Sequence, residues 1–136
     1  MPGGGFEEIE HTADWALRVH GTDLADLCRQ AATGMLQLAG AEPADGPTRV
    51  ESLVFTEADA EGVLVRWLEE VLYGLEVRRV VPVAMRLRSH GEVRLEGDMT
   101  LAPLARLEKA IKAVTFHALK VTPTKNGCEA TIVFDV

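Results

Sequence analysis

The chain has 136 residues, 47% of them hydrophobic and 26% charged, and a formal net charge of −7. That length makes one domain, residues 1–136, able to bury roughly two-thirds of the surface of its unfolded chain. The acidic balance argues against broad, non-specific nucleic-acid binding, whose affinity Lys and Arg must supply, and leaves oxygen-ligand cation binding open. No apolar run approaches the roughly 20 residues needed to span a bilayer, so no membrane partner is expected. The start, Met1-Pro2-Gly3-Gly4-Gly5-Phe6, has neither a basic patch nor an apolar stretch. It therefore does not read as a signal peptide, and the expected location is the cytoplasm. Cys28 and Cys128 are expected there as free thiols.

Residues 6–10 read as a short strand. Trp15, Leu17 and Val19 alternate with Ala16, Arg18 and His20, predicting a half-buried strand that ends at Gly21. From Thr22 the period becomes helical. Leu24, Leu27, Cys28, Ala31, Met35 and Leu38 share a face, Thr22 is available as N-cap, and Gly40 follows the end. A Pro/Gly/Asp loop at 42–47 precedes a strand near 50–55. Leu64, Trp67, Leu68, Val71, Leu72 and Leu75 then define a second helix, with Asp59 and Glu61 placed to suit its dipole.

Val81, Val83, Met85 and Leu87 open a hairpin that turns at His90-Gly91 and returns through Val93, Leu95, Gly97 and Met99. Arg and Glu face each other on its wet side. Pro103 is expected to start a short helix through about Lys109. Residues 112–121 and 129–136 are expected to form a final strand pair across Lys125-Asn126-Gly127. The order ββαβαββαββ implies an α/β (α+β) fold. It would be a two-layer sandwich of a mainly antiparallel or mixed β-sheet with helices packed on it.

Most polar residues have structural explanations. His20 and His90 flank Gly at strand ends and read as solvated; Trp67 and Tyr73 read as core or rim; Arg78-Arg79 reads as a solvated cap. No Gly-rich phosphate loop, paired CxxC or HExxH helix occurs, and neither Thr115 nor Ser89 has a base near it in sequence. Three features remain. His11-Thr12-Ala13-Asp14 places an imidazole, a hydroxyl and a carboxylate where the chain turns between two strands. Both a turn or capping role and a binding role suit such residues. Asp135 lies at the end of the last strand, one residue from the terminal carboxylate. Strand neighbours are about 3.3 Å apart, so the two carboxylates are able to share a cation, and a solvated strand-end Asp fits equally well. Finally, Lys112 and His117 interrupt an otherwise apolar strand.

Several segments resemble one family. Phe6-Glu7-Glu8-Ile9-Glu10-His11-Thr12-Ala13-Asp14, with Gly21 opening the first helix, resembles the N-terminal signature of archease. Leu64-Val65-Arg66-Trp67-Leu68-Glu69-Glu70-Val71-Leu72-Tyr73 resembles that family's second-helix motif. Ile111-Lys112-Ala113-Val114-Thr115-Phe116-His117 and Ile132-Val133-Phe134-Asp135-Val136 resemble its last two strands. The match runs in order from Phe6 to Val136. The resemblance implies a non-enzymatic protein, with no catalytic residue of its own, whose partner is the tRNA-splicing RNA ligase. That ligase joins 3′-phosphate or cyclic-phosphate ends to 5′-hydroxyl ends. An archease promotes guanylylation of its active-site histidine and so restores it for repeated turnover, meeting GTP and RNA only through the ligase.

By the same resemblance a metal site carries over to Asp14, Asp135 and Val136, with Ca²⁺ the expected ion and Mg²⁺ or Mn²⁺ as alternatives. Lys112, His11 and His117 are then candidates to contact the ligase or phosphate, while His11 and Thr12 also suit shaping the turn. Val136 stands where Ile is more frequent, and Phe116 where Tyr is common. Two other functions stay open from the residues alone. One is a stand-alone metal-dependent phosphoryl-transfer enzyme using His11, Asp14 and Asp135. The other is a chaperone-like interaction module, whose mark would be a large exposed apolar patch.

Overall fold

The computed structural model describes residues 3–10 and 15–136. Strand β1 (Gly5–Glu10) pairs antiparallel with β2 (Trp15–Gly21), placing Phe6 opposite Val19 and Glu7 opposite Arg18. The Arg18 guanidinium and the Glu7 carboxylate meet at 3.1 Å. Leu17 and Val19 are buried and Arg18 and His20 exposed, as the alternation predicts.

Helix α1 (Leu24–Ala39) begins one residue later than expected. Asp23, not Thr22, is the N-cap, its extended backbone letting Oδ1 accept the Asp26 N–H at 2.8 Å. Asp26 in turn accepts the Thr22 N–H at 2.9 Å and hydrogen bonds from Arg29 and Gln30. Burial works to raise the Asp26 pKa, but these hydrogen bonds outweigh it and hold the carboxyl below its ordinary value. The resulting stabilisation is complete above the unfolded-chain value of about 3.9. It is lost as the pH falls through the lower folded value. Asp26→Asn is therefore expected to lower Tm at neutral pH, with the gap to the parent closing in acid. Melts of both proteins across that range check this, and a pH-independent gap contradicts it.

Gly34 lets α1 lie close on the β1–β2 pair. A Cβ there would stand 2.5 Å from the Leu17 side chain and 3.0 Å from the Phe6 ring. The helix ends at Gly40, left-handed at φ 61, whose N–H caps the carbonyls of Leu36 and Gln37.

Part of the expected 42–47 loop is a short strand, β3 (Ala41–Pro43). After β4 (Arg49–Thr56), helix α2 (Ala60–Tyr73) starts at the N-cap Asp59, which accepts the Gly62 N–H at 2.8 Å. Trp67 is fully buried and donates its indole N–H to the Cys28 carbonyl of α1 at 2.7 Å. The helix widens into a π-turn, Gly74–Arg78, closed by Arg79 in the left-handed region. Arg78 is not a freely solvated cap. Its guanidinium makes two hydrogen bonds with Glu51 of β4 and lowers that carboxyl's pKa.

The hairpin β5 (Val80–His90) and β6 (Arg94–Leu107) turns through Gly91, Glu92 and Val93, one residue more than expected. The predicted Arg–Glu pairing appears on it. Glu96 lies 2.9 Å from Arg88 and near His90, and the hydrogen bonds from both bring its pKa down to about 2.

No helix forms at 103–109. Strand β6 continues as far as Leu107, pairing Val80 with Pro103 and Ala41 with Leu107. Of the expected strand at 112–121 only β7 (Ala113–Thr115) forms, and a further short strand, β8 (Thr122–Thr124), lies just beyond it. Between them Leu119 donates to the Phe116 carbonyl and Ala118 is left-handed. Both pieces pair with β9 (Gly127–Asp135).

The α+β expectation holds, and every strand pairing among the described residues is antiparallel, so the mixed alternative does not arise. The strands divide into two sheets. One runs β1-β2-β9-β7 with β8 also on β9, and the other groups β3, β4 and β5 around β6. A single main core draws on both sheets and both helices, including Leu17, Leu27, Leu64, Trp67, Leu95, Ile132 and Phe134. Cys28 within it and Cys128 beside it are free thiols. Burial pushes the Cys28 pKa far up, leaving it a small apolar packing group. No helix among the described residues is long and apolar enough to cross a membrane.

Candidate functional site

Strand β9 holds the site because it is the strand to which both the first and the last parts of its sheet attach. Its residues Ile132 and Phe134 point into the core and are fully buried, so the alternation turns Asp135 outward, where it is exposed. Phe134 pairs with Trp15 at the start of β2, and Asp135 lies opposite Ala113 at the start of β7. The Asp135 main-chain carbonyl accepts the Lys112 N–H at 2.7 Å. Lys112 is itself exposed, and the preceding Ile111, 1% exposed, anchors that segment in the core. Val136 is partly buried against the same core.

A second cation stands nearby. The Lys109 ammonium lies over the Trp15 ring, 4.5 Å from its centroid, a favourable cation–π distance. Trp15, Lys109, Lys112, Asp135 and Val136 thus gather at one end of the five-stranded sheet. The Trp15–Lys109 contact was invisible in the sequence. Its two residues are 94 positions apart by number, and only the folded chain brings them together.

Of the six candidate residues, the structure brings Lys112 beside Asp135 and Val136. His117 goes elsewhere. The pairing of Ala113 with Asp135 and Thr115 with Val133 carries the chain away from Asp135 along β9. His117 then lies in the exposed turn beyond Thr115, its N–H donating to the Thr115 hydroxyl at 3.2 Å. Its interruption of an apolar strand is thereby explained, since the strand has already ended there. His11 and Asp14 lie outside the described residues, as does Thr12. Asp14 is one peptide bond from Trp15, and Asp135 is one peptide bond from Trp15's strand partner Phe134.

Among the described residues no three His, Cys, Asp or Glu side chains gather as a metal-holding group. Asp135 makes no ion pair there, which leaves its carboxylate free to serve as a hard oxygen donor of the kind Ca²⁺ and Mg²⁺ prefer. One such carboxylate beside a main-chain oxygen fits part of a cation shell, not a whole one.

Known proteins resemble this chain along its whole length. A protein archease of Methanosarcina mazei is 34% identical over 149 aligned positions that cover all of both chains. A protein archease of Saccharolobus islandicus is 30% identical, covering 96% of this chain and 98% of that one. The crystal structure of "an archease, possible chaperone" from Thermotoga maritima superposes with a TM-score of 0.71 at 23% identity, covering 96% of each chain. A solution structure from Methanobacterium thermoautotrophicum does so at 0.67 and 22%, covering 97% and 99%. Those two likenesses show the fold. The model of the Archease protein family (MTH1598/TM1083) matches residues 6–136, so the chain belongs to the archease family.

Proposed function

We propose that the chain is a non-enzymatic activator of the tRNA-splicing RNA ligase, promoting guanylylation of the ligase histidine and multiple-turnover joining of RNA ends. The observation that supports this reading is the exposed Asp135 carboxylate at the sheet end, beside Lys112, in a chain of the archease family. Asp135, Asp14 and a main-chain oxygen of Val136 would hold a divalent cation, Ca²⁺ or else Mg²⁺ or Mn²⁺. Such a cation supplies charge neutralisation to nucleotide phosphates. Lys112 presents an exposed ammonium to a phosphate or to an acidic ligase residue on the same side. His11 and His117 stay candidate contacts of the ligase, His117 from the exposed turn beyond β7 and so apart from the Asp135 group. RNA and GTP are met through the ligase, in keeping with a net charge of −7, and the compartment is the cytoplasm.

The test is ligase guanylylation with the cognate enzyme, with and without the chain, across Ca²⁺, Mg²⁺ and Mn²⁺. A faster rise in guanylylated ligase and repeated turnover are expected. No stimulation in any of the three metals overturns the proposal. The chain incubated alone with nucleotide and RNA is expected to turn over neither, and product formation there would favour the stand-alone enzyme.

A further inference from the structure

A shallow groove of about 290 Å³, open to solvent, runs between the C-terminal end of α2 and strand β7. Its walls include Glu69, Leu72, Tyr73, Glu76 and Val77 on the helical side and Lys112 on the other. Strand β7 is the outermost member of the β1-β2-β9-β7 order. An edge strand keeps a row of N–H and C=O groups without partners, which a further strand is able to take up. A groove between an edge strand and a helix is one in which extended peptides dock by strand addition.

The helical wall of the groove carries exposed apolar side chains. Tyr73 is 55% and Val77 60% exposed, so two large apolar groups stand in water on one stretch of helix surface. Aromatic groups placed this way are the common anchors of interfaces. Val77 lies within the π-turn Gly74–Arg78, which begins directly after Tyr73, and such turns recur at functional positions. Glu69 and Glu76 bring negative charge to the same wall, and the only cation lining the groove among the described residues is Lys112. Lys112 is also the residue hydrogen-bonded to Asp135, so the groove runs into the sheet end described above.

We infer that this groove receives an extended, basic segment of the RNA ligase, added as a strand to the free edge of β7. An apolar side chain of that segment lies against Tyr73 and Val77, and a Lys or Arg meets Glu69 and Glu76. A second copy of this chain is a poor occupant, because its own net charge of −7 would be set against the acidic wall. This inference rests on the ligase reading above and adds where the partner docks.

The experiment measures the affinity of the purified cognate ligase for the full chain and for Val77→Asp, Glu76→Lys and, on the other sheet, Val54→Asp. All three positions are exposed, so the fold should survive each change; equal melting temperatures check it. Val77→Asp and Glu76→Lys are expected to weaken binding by about tenfold each, with Val54→Asp binding like the parent. Amide exchange is expected to slow at Ala113 to Thr115 when the ligase is bound. A parent chain that stimulates the ligase while both groove variants bind as it does overturns the groove. Weakened binding with β7 amides unprotected overturns strand addition. A parent chain that neither binds nor stimulates the ligase overturns the functional reading and this inference together.

Discussion

Replacing Asp135 with Ala is expected to reduce stimulation of ligase guanylylation by at least about tenfold, a loss of roughly 1.4 kcal/mol or more at the rate-determining contact. The fold should not notice. The Asp135 side chain is exposed and makes no ion pair among the described residues, and the contact it makes to Lys112 uses the main-chain carbonyl, which Ala retains. Surface changes of this kind move stability by about 0.5 kcal/mol at most. Asp135→Asn separates charge from shape, since it keeps one oxygen donor and removes the negative charge. If charge toward a cation is what matters, Asn should behave like Ala. Asp14→Ala is expected to match Asp135→Ala. Multiple-turnover ligation is the measurement, and parent-like turnover by either variant would sink the assignment of these carboxylates.

The largest stability effect is expected at Trp67. It is fully buried in the core that joins both helices and both sheets, and its indole N–H donates to the Cys28 carbonyl at 2.7 Å. Trp67→Ala removes the ring and leaves a cavity, at a cost of about 3–5 kcal/mol. That is a large share of the roughly 5–15 kcal/mol that stabilises a typical domain. Trp67→Phe keeps most of the apolar contact but loses the donor, and should cost about 1–3 kcal/mol. Urea unfolding of the parent and both variants gives the two differences. Equal losses would mean that the hydrogen bond, and not the packing, dominates at this position.

The helices and the first strands were legible because their local period matched their burial. Leu24, Leu27, Cys28, Ala31 and Met35 on α1 are all buried, as are Leu64, Trp67, Leu68 and Val71 on α2. The stretch 103–109 misled for a physical reason. Leu101, Leu104 and Leu107 have helical spacing, and Pro103 suits a first helical turn. In the fold, however, Pro103 sits where β6 changes partners. Its carbonyl accepts the Ala44 N–H at 2.7 Å, while Leu104 donates to Arg79. The proline's missing N–H is tolerated at that changeover, and the apolar residues find partners on β5 and β3 that no local pattern reveals. Similarly, nothing in the alternation from 112 to 121 announces the turn at Phe116 to Leu119 that ends β7 after three residues. At the site, Asp135 could be read from the sequence as an outward strand-end carboxylate. The position of Lys112 beside it and of His117 away from it depended on how β7 registers with β9, which is a tertiary fact.

The placement of β9 also has a consequence for folding. This strand, later in sequence than all its neighbours, sits inside its sheet, with β2 on one flank and β7 and β8 on the other. The β1–β2 pair made at the outset must wait, half-covered, for more than a hundred residues before its neighbour arrives. Contacts between such distant segments close late and slowly. A nascent chain lacking Gly127–Asp135 would therefore have neither a finished sheet nor the Asp135 carboxylate to present. Closure of the sheet and presentation of the Asp135 carboxylate are in this way one event, so a change that weakens β9 pairing is expected to cost both together.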